Sequence, residues 1–274
     1  MAKEKAQKGK KTKKEKAPKK SERTESGGID YSVYYMKRGE WLLYFLLAAA
    51  VLFVLGYIFY RNVIIAAVIA LLALKFPAIQ TKNLISQRRK KLTLQFKDML
   101  YSLSSAVGSG SSVERAMSAV LDDMERQYVN PDTYIIQELE LIVSKLSMNA
   151  NIEDLFSDLA ERSGIEDIRT FANIFDISKR TGGNMMQIIR QTSDIITQKI
   201  ETANEIDTLL AEKKMEQKVM TAAPILLLAL LTETTGDFME PLFTTLKGRC
   251  VCTLALALVI AGFMWGKKLT DIRI

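Results

Sequence analysis

The chain has 274 residues, a formal net charge of +7, two cysteines and no histidine. The positive surplus lies within residues 1–40, which hold 13 Lys and Arg against 6 Asp and Glu, so the rest of the chain is balanced. A nucleic-acid-binding domain needs a basic folded surface and is therefore disfavoured. The absence of histidine removes the usual general base and the commonest metal ligand. Cys250 and Cys252, two positions apart in an apolar segment, indicate packed side chains rather than a disulfide or zinc site.

Residues 1–36 are predicted to form a basic, disordered cytoplasmic tail. Residues 1–28 are Lys-rich and hold too few apolar side chains to offset the entropy of ordering the chain. No small-residue cleavage site follows the apolar segment that begins at Trp41, so a secretory signal peptide fits poorly. The tail either sets the orientation of the chain or binds anionic lipid. We favour the first.

Two apolar segments come next and predict a transmembrane hairpin of residues 41–60 and 63–79. The first contains no charged residue and begins at Trp41, an aromatic side chain suited to the membrane interface. Arg61 and Asn62 form a minimal turn between the two segments. The short connection requires neighbouring, antiparallel spans.

The distribution of cationic residues predicts the orientation of this hairpin. Two cations precede the first span and five follow the second, whereas only Arg61 lies between the spans. The flanking residues are Lys37, Arg38, Lys82, Arg88, Arg89, Lys90 and Lys91. By the positive-inside rule, both the N-terminus and the region after residue 80 are expected in the cytoplasm.

Residues 84–218 are predicted to form a soluble domain of six helices. Apolar side chains recur at helical spacing throughout, and no alternating strand pattern competes, which indicates an antiparallel bundle. Breaks separate the helices, as expected where Gly, Pro and Asn cluster. These breaks are Gly108-Ser109-Gly110, Asn130-Pro131-Asp132, Asn149 to Asn151, Gly164 and Gly182-Gly183.

The sixth helix is the longest predicted element. It covers residues 184–231, is charged in its first two thirds, and becomes almost wholly apolar from Val219. At ~1.5 Å per residue it would measure ~70 Å, more than twice the ~30 Å hydrocarbon core of a bilayer. It is therefore expected to join the soluble domain to the membrane. Pro224 leaves open whether the helix is continuous or kinked.

The remaining segments complete a four-span topology. We predict a third span at residues 219–235, an extracytoplasmic loop at 236–249, a fourth span at 250–266 and a cytoplasmic end at 267–274. Lys247 and Arg249 in the loop go against the positive-inside rule, but the charge at the other boundaries outweighs them.

Catalytic motifs are absent from the sequence. It contains neither phosphate-binding glycine motif and no nucleophile elbow, so neither a nucleotide site nor a hydrolase triad is expected. The spans hold almost no ionisable residue; Glu233, near the edge of the third span, is interpreted as interfacial. We therefore expect a non-enzymatic membrane scaffold without cofactor or metal.

Three motifs resemble a known family. Gly110-Ser111-Ser112-Val113-Glu114-Arg115-Ala116-Met117 is similar to an element of the type II secretion F domain, and Arg180-Thr181-Gly182-Gly183-Asn184-Met185 is similar to the entry to that domain's last helix. Residues 236–249 resemble the outer loop of tight-adherence (Tad/Flp) pilus platform proteins of the TadB-like branch. The resemblance covers roughly residues 35–274. The Lys-rich tail has no counterpart, and Leu246-Lys247 stands where that branch usually has Pro-Leu.

The resemblance implies a multi-pass platform protein of the inner membrane, with both termini cytoplasmic and an F-domain bundle between the second and third spans. Its expected partners are a secretion ATPase, a paralogous platform protein, pilin subunits, membrane lipid and further copies in an oligomer. It also suggests partner-contact or hinge residues. These are Gly110, Ser111, Glu114, Arg180, Gly182, Gly183 and Asn184.

Two other interpretations remain open. A small transporter or channel would need charged or broken helices at mid-membrane, and these are scarce. The second is a membrane-anchored regulatory module, whose helical domain binds a soluble partner without a filament.

Overall fold

The computed structural model of the protein describes residues 27–270, with the side chains of 236–238, 267, 269 and 270 left out. Its regular secondary structure is helical, and the described residues contain no β-strand. Four helical segments are long and apolar enough to cross a membrane: Arg38–Tyr60, Val63–Gly108, Met185–Thr234 and Leu246–Gly266. The prediction of an all-helical chain with four such segments is thereby confirmed. The predicted tail up to residue 26 and the last four residues of the predicted cytoplasmic end lie outside the described residues.

The described residues form ten α-helices in succession. They are α1 (Arg38–Tyr60), α2 (Val63–Ala70), α3 (Phe76–Gly108), α4 (Val113–Gln127), α5 (Tyr134–Ser147), α6 (Ile152–Ser163), α7 (Glu166–Thr181), α8 (Met185–Thr234), α9 (Gly236–Thr244) and α10 (Leu246–Thr270). A 3-10 segment, Leu71–Lys75, joins α2 to α3. Pro77 accounts for this tighter turn, since it has no N–H to donate to the carbonyl of Ala73, and the Phe76 N–H bonds that carbonyl instead.

The described residues divide into two compact units. One, the helical unit, consists of Leu84–Gln198 together with the described residues before Met36. The other, the span unit, consists of Met36–Asn83 and the described residues from Lys199 onward. The predicted soluble domain extends to residue 218. The division falls earlier because Ile196 is the last buried residue of α8 before Thr232.

Aromatic packing forms the centre of the helical unit. Phe171 of α7 contacts Phe96 of α3 and Phe156 of α6 edge to face, with ring centroids 5.5 Å and 5.1 Å apart. Phe175, one turn later, contacts the same Phe156 ring at 5.0 Å. Such pairs add about 0.5–1.5 kcal/mol each beyond their buried area. The buried stripe of α3 runs through Leu92, Phe96, Met99, Leu100 and Leu103, the spacing expected of an amphipathic helix.

In the span unit, α1 and α2 pack closely through small residues. A Cβ added to Gly56 would lie 3.0 Å from the Ala66 Cα, so glycine permits the approach of the two backbones. Asn62 caps α2 by accepting hydrogen bonds from the N–H groups of Ile64 and Ile65. Arg61 closes α1 in the left-handed region, at φ 46°.

Two predicted segments differ from the structure. Residues 29 and 31, which we assigned to the disordered tail, are buried in the helical unit. Residues 236–249, predicted as a loop, contain α9 and the first residues of α10. Met239, Leu242 and Phe243 have helical spacing in that segment, and Phe243 is buried. Pro224 lies inside α8, which is one helix of 50 residues.

Candidate functional site

The α3–α4 turn contains the first group of predicted site residues. Gly110 has φ 93°, a conformation that side chains rarely adopt, so glycine is required there. Ser111 is exposed, and the Ser112 side chain caps α4 by accepting a hydrogen bond from the Arg115 N–H at 3.4 Å. Glu114 lies in the first turn of α4, where a carboxylate is stabilised by the positive end of the helix dipole.

The α7–α8 junction contains the second group, and its two glycines have different physical roles. Gly182 ends α7 with φ 73°. At Gly183 the limit is space, because a Cβ there would lie 2.1 Å from Ser178 Oγ and would displace that hydroxyl. Asn184 then caps α8, its Oδ1 accepting a hydrogen bond from the Gln187 N–H at 3.2 Å. The chain therefore reverses through a defined turn rather than a free linker.

One lysine brings the two groups together. Lys179 Nζ lies 2.7 Å from Glu114 Oε1 and 3.1 Å from Glu153 Oε2, so α7 is ion-paired to the first turns of α4 and α6. We call Glu114, Glu153 and Lys179 the lysine-centred cluster. Glu114 is one of the predicted site residues, and Lys179 is not. Arg180, the predicted neighbour of Lys179, pairs within its own helix, with Asp176 at 2.8 Å.

A second contact joins the same two junctions. A Cβ on Gly108 would lie 3.3 Å from Met186 Sδ, so the end of α3 approaches the beginning of α8. All seven predicted site residues therefore lie in the α3–α4 turn, in the first turn of α4, or at the α7–α8 junction. The ion pairs and this contact connect those places at one end of the helical unit.

The electrostatics of the lysine-centred cluster are those of a partly exposed site. The hydrogen bond from Lys179 lowers the pKa of Glu114. Partial burial lowers the pKa of Lys179, but the hydrogen bonds to Glu114 and Glu153 outweigh it, and the net pKa is raised. Glu114 and Lys179 are therefore both charged at neutral pH. The side chains of Glu114 and Lys179 remain 42% and 34% exposed, which leaves them accessible to a partner.

A buried polar network, absent from the sequence analysis, lies elsewhere in the helical unit. Arg162 of α6 contacts both oxygens of Glu138 of α5, at 2.8 and 2.6 Å, and its Nε donates to Asp158 at 2.8 Å. Burial lowers the pKa of Arg162, but these carboxylates outweigh that effect and raise it. Arg162 and Glu138 are almost fully buried, so each needs the other.

The network also holds the N-terminal strap, by which we mean residues 28–35. Tyr31 is fully buried, and its hydroxyl donates to Glu138 Oε1 at 3.0 Å. Two further hydrogen bonds add to this contact. The Tyr31 N–H donates to the Arg162 carbonyl at 2.9 Å, and the Arg162 side chain donates through Nη1 to the Ile29 carbonyl at 3.0 Å. Arg88 of α3 lies over the Tyr34 ring, 4.8 Å from its centroid.

Two signals in the sequence could have revealed the strap. From Ile29 onward, apolar and aromatic residues alternate with polar ones. This pattern is atypical of a disordered tail. Glu138 and Arg162 also lie on the apolar stripes of their helices, where an isolated charge is costly and opposite charges are expected to pair. Arg88, which we counted toward the positive-inside rule, is itself buried.

No protein-family model, characterised protein or solved structure matches the chain.

Proposed function

We propose that this chain is a platform protein of a type IV-like, Tad/Flp pilus or secretion machine, embedded in the inner membrane with both termini cytoplasmic. In this proposal the helical unit is the cytoplasmic F domain. It receives a secretion ATPase, and the spans hand pilin subunits to the filament beside a paralogous platform protein. The protein acts without catalysis or cofactor, as a mechanical coupling between its partners.

One observation carries this proposal. The helix α8 is continuous from Met185 to Thr234, including Pro224. Ile189 and Ile196 near its beginning are buried in the core of the helical unit, while its last part belongs to a candidate span. A helix transmits a displacement along its axis because its i to i−4 hydrogen bonds resist extension, whereas a flexible linker would absorb it.

The middle of α8 provides a direct test of coupling. No residue from 197 to 231 is buried, so substitutions there leave the packed cores intact. Glu205, Leu209 and Glu212 replaced together by glycine should weaken the helix by about 3 kcal/mol relative to the same triple alanine variant. We expect filament assembly to be lost in the triple glycine variant and kept in the triple alanine variant, with equal membrane levels by immunoblot. Equal assembly in both would contradict the coupling role.

The ATPase contact needs a separate test on the full-length protein. Arg180 is 75% exposed beside the lysine-centred cluster, and Arg169 is exposed near the opposite end of the same helix. We expect Arg180→Glu to reduce co-purification of the hexameric secretion ATPase several-fold and Arg169→Glu to leave it unchanged. If both variants co-purify equal amounts of the ATPase, this end of the helical unit is excluded as the docking site.

A further inference from the structure

Within the span unit, a polar cavity lies where the four candidate spans begin or end. The helix α1 ends at Tyr60, α2 begins at Val63, α8 ends at Thr234 and α10 begins at Leu246. The cavity measures about 390 Å³, within the usual range of small-molecule pockets of roughly 300–1,000 Å³. We call it the terminal pocket. Its lining includes Tyr60, Arg61, Asn62, Glu240, Phe243 and Arg249.

Hydrogen bonds hold the walls of the terminal pocket in place. The Tyr60 hydroxyl donates to Thr253 Oγ1 at 3.0 Å, which ties the end of α1 to α10. Arg249 Nε donates to the Phe243 carbonyl at 2.9 Å, which ties α10 to α9. Phe243 itself is buried and forms an apolar wall. The site is therefore built from α1, α8, α9 and α10 together with the α1–α2 turn.

Several N–H groups of residues that line the terminal pocket have no hydrogen-bond acceptor among the described residues. Arg249 uses only Nε, and its two terminal nitrogens bond no residue that the structure describes. Asn62 uses its oxygen to cap α2, which leaves its amide nitrogen directed to no described acceptor. Arg61 has one long contact of 3.5 Å, to Glu233. Arginine guanidinium groups form charge-assisted, often bidentate hydrogen bonds with phosphate, and an asparagine amide can donate two more.

The terminal pocket also contains an acceptor of the opposite kind. Glu240 lines it, and its carboxylate makes no hydrogen bond or ion pair within the described residues. Arg249 and Glu240 thus line one cavity without pairing with each other. A ligand that carries both a phosphate and a primary amine would satisfy both, since each side chain then gains a charge-assisted bond.

We infer that the terminal pocket binds the headgroup of a phospholipid that bears a phosphate and a primary amine, as phosphatidylethanolamine does. Arg249, Arg61 and Asn62 receive the phosphate, and Glu240 accepts from the ammonium group. The place fits a lipid, because the ends of the spans lie at headgroup depth when the helices cross a bilayer. The inference needs only a chain that spans a membrane, and it is independent of any pilus role.

This assignment also accounts for the position of Arg249. In the orientation proposed above, the pocket faces the extracytoplasmic side, where the positive-inside rule disfavours Lys and Arg. Arg61 has Glu233 as a neighbour. Arg249 has no carboxylate partner among the described residues, and a lipid phosphate supplies the missing charge.

The test is a lipid titration of the full-length protein in detergent, followed by native mass spectrometry. The probes are phosphatidylethanolamine and phosphatidylglycerol with identical acyl chains, and the free headgroup glycerophosphoethanolamine. The wild-type chain should bind phosphatidylethanolamine about tenfold more tightly than phosphatidylglycerol, since one charge-assisted bond depends on the amine. If the free headgroup binds as tightly as the whole lipid, the proposal that the ligand is a lipid is overturned.

Three variants separate the roles of the lining residues. Arg249→Gln should weaken the binding of both lipids about tenfold. Glu240→Gln should abolish the preference for phosphatidylethanolamine over phosphatidylglycerol. Lys247→Gln is the matched control, since Lys247 is an exposed cation of the same segment that does not line the cavity. Equal affinities of the Arg249→Gln and Lys247→Gln variants would overturn the phosphate assignment. Because Glu240 has no side-chain bond to lose, its variant remains informative if Arg249→Gln disturbs the fold, and an unchanged lipid preference there would overturn the proposal.

Discussion

The helical unit contains two clusters of acidic and basic residues that differ in their access to water. Arg162 and Glu138 are 5% and 1% exposed, whereas Lys179 and Glu114 are 34% and 42% exposed. In the first cluster each charge depends on its partner, because water cannot replace a lost contact. In the second, water or another protein can take over either group at small cost. The buried cluster is therefore suited to fixing the strap, and the exposed one to exchanging partners.

The largest predicted effect comes from breaking the buried cluster on one side. Arg162→Met leaves the Glu138 carboxylate buried without its cation, which should cost about 3–5 kcal/mol. Hydrogen exchange of the α5 and α6 amides in the full chain, followed by mass spectrometry, measures this local opening free energy.

The control for this experiment is the double variant Glu138→Leu/Arg162→Met. It removes both charges and should recover most of the loss, since apolar residues can replace a buried ion pair. If the single variant opens no more readily than the wild type, the cluster does not stabilise the fold.

A smaller effect tests whether the strap depends on the buried cluster. A Cβ at Gly28 would lie 2.2 Å from Arg162 Cζ, and the guanidinium cannot move away without leaving Glu138, Asp158 and the Ile29 carbonyl. Gly28→Ala should destabilise the strap by about 1–3 kcal/mol, as overpacking does elsewhere. The Tyr31 amide, which bonds the Arg162 carbonyl, is the reporter in hydrogen exchange.

The matched control for Gly28→Ala is Gly39→Ala. Nothing lies within 4 Å of a Cβ at Gly39, which is in the first turn of α1, so that variant should leave the Tyr31 amide unchanged. Equal protection of this amide in both variants would show that the strap tolerates a side chain at residue 28.

Tyr31→Phe should have a more modest effect, about 1 kcal/mol, because Glu138 Oε1 keeps its bond from Arg162. Burial and then the Glu138 charge raise the pKa of Tyr31 well above 10.0. A raised folded-state pKa gives stability that is present below about pH 10 and is lost as the pH rises through the folded-state value. The wild-type strap should therefore open at alkaline pH, and this part of the opening should disappear in the variant. Tyr101→Phe, at a side chain 74% exposed, is the control and should change neither quantity.

The sequence predicted the helices well because their signals are local. The buried stripe of α3, the cap at Ser112 and the left-handed turn at Gly164 each follow from residues a few positions apart. The strap was missed because its contacts are distant: Tyr31 and Glu138 are 107 positions apart. Composition classified the segment as tail, although the burial of one aromatic side chain and three shared hydrogen bonds suffices to dock it.

The candidate site was partly predictable for the same reason. The glycines at 110 and 182 have positive φ, a backbone requirement that their local motifs already indicate. The relative rotation of α4, α6 and α7 decides which of the two side chains reaches Glu114, and in the structure it is Lys179 rather than Arg180. Helical periodicity places both side chains on exposed positions and does not distinguish between them. The terminal pocket was hidden because α9 was interpreted as loop.

The smallest predicted effect belongs to the exposed cluster and shows whether it differs from the buried one. Lys179→Gln should cost about 0.2–1 kcal/mol, the usual range for solvent-accessible pairs. The pKa of Glu114 is lowered by Lys179, so this stabilisation is present above pH 4.5 and is lost as the pH falls through the lower, folded-state value. Between pH 7 and pH 3 the α4 amides should therefore lose more protection in the wild type than in the variant. Lys90→Gln, at an exposed lysine of α3 without an ion pair in the described structure, should behave like the wild type. A cost as large as that of Arg162→Met would mean that the exposed cluster stabilises the fold as strongly as the buried one. Its residues would then not be available to exchange their ion-pair partners for a docking protein.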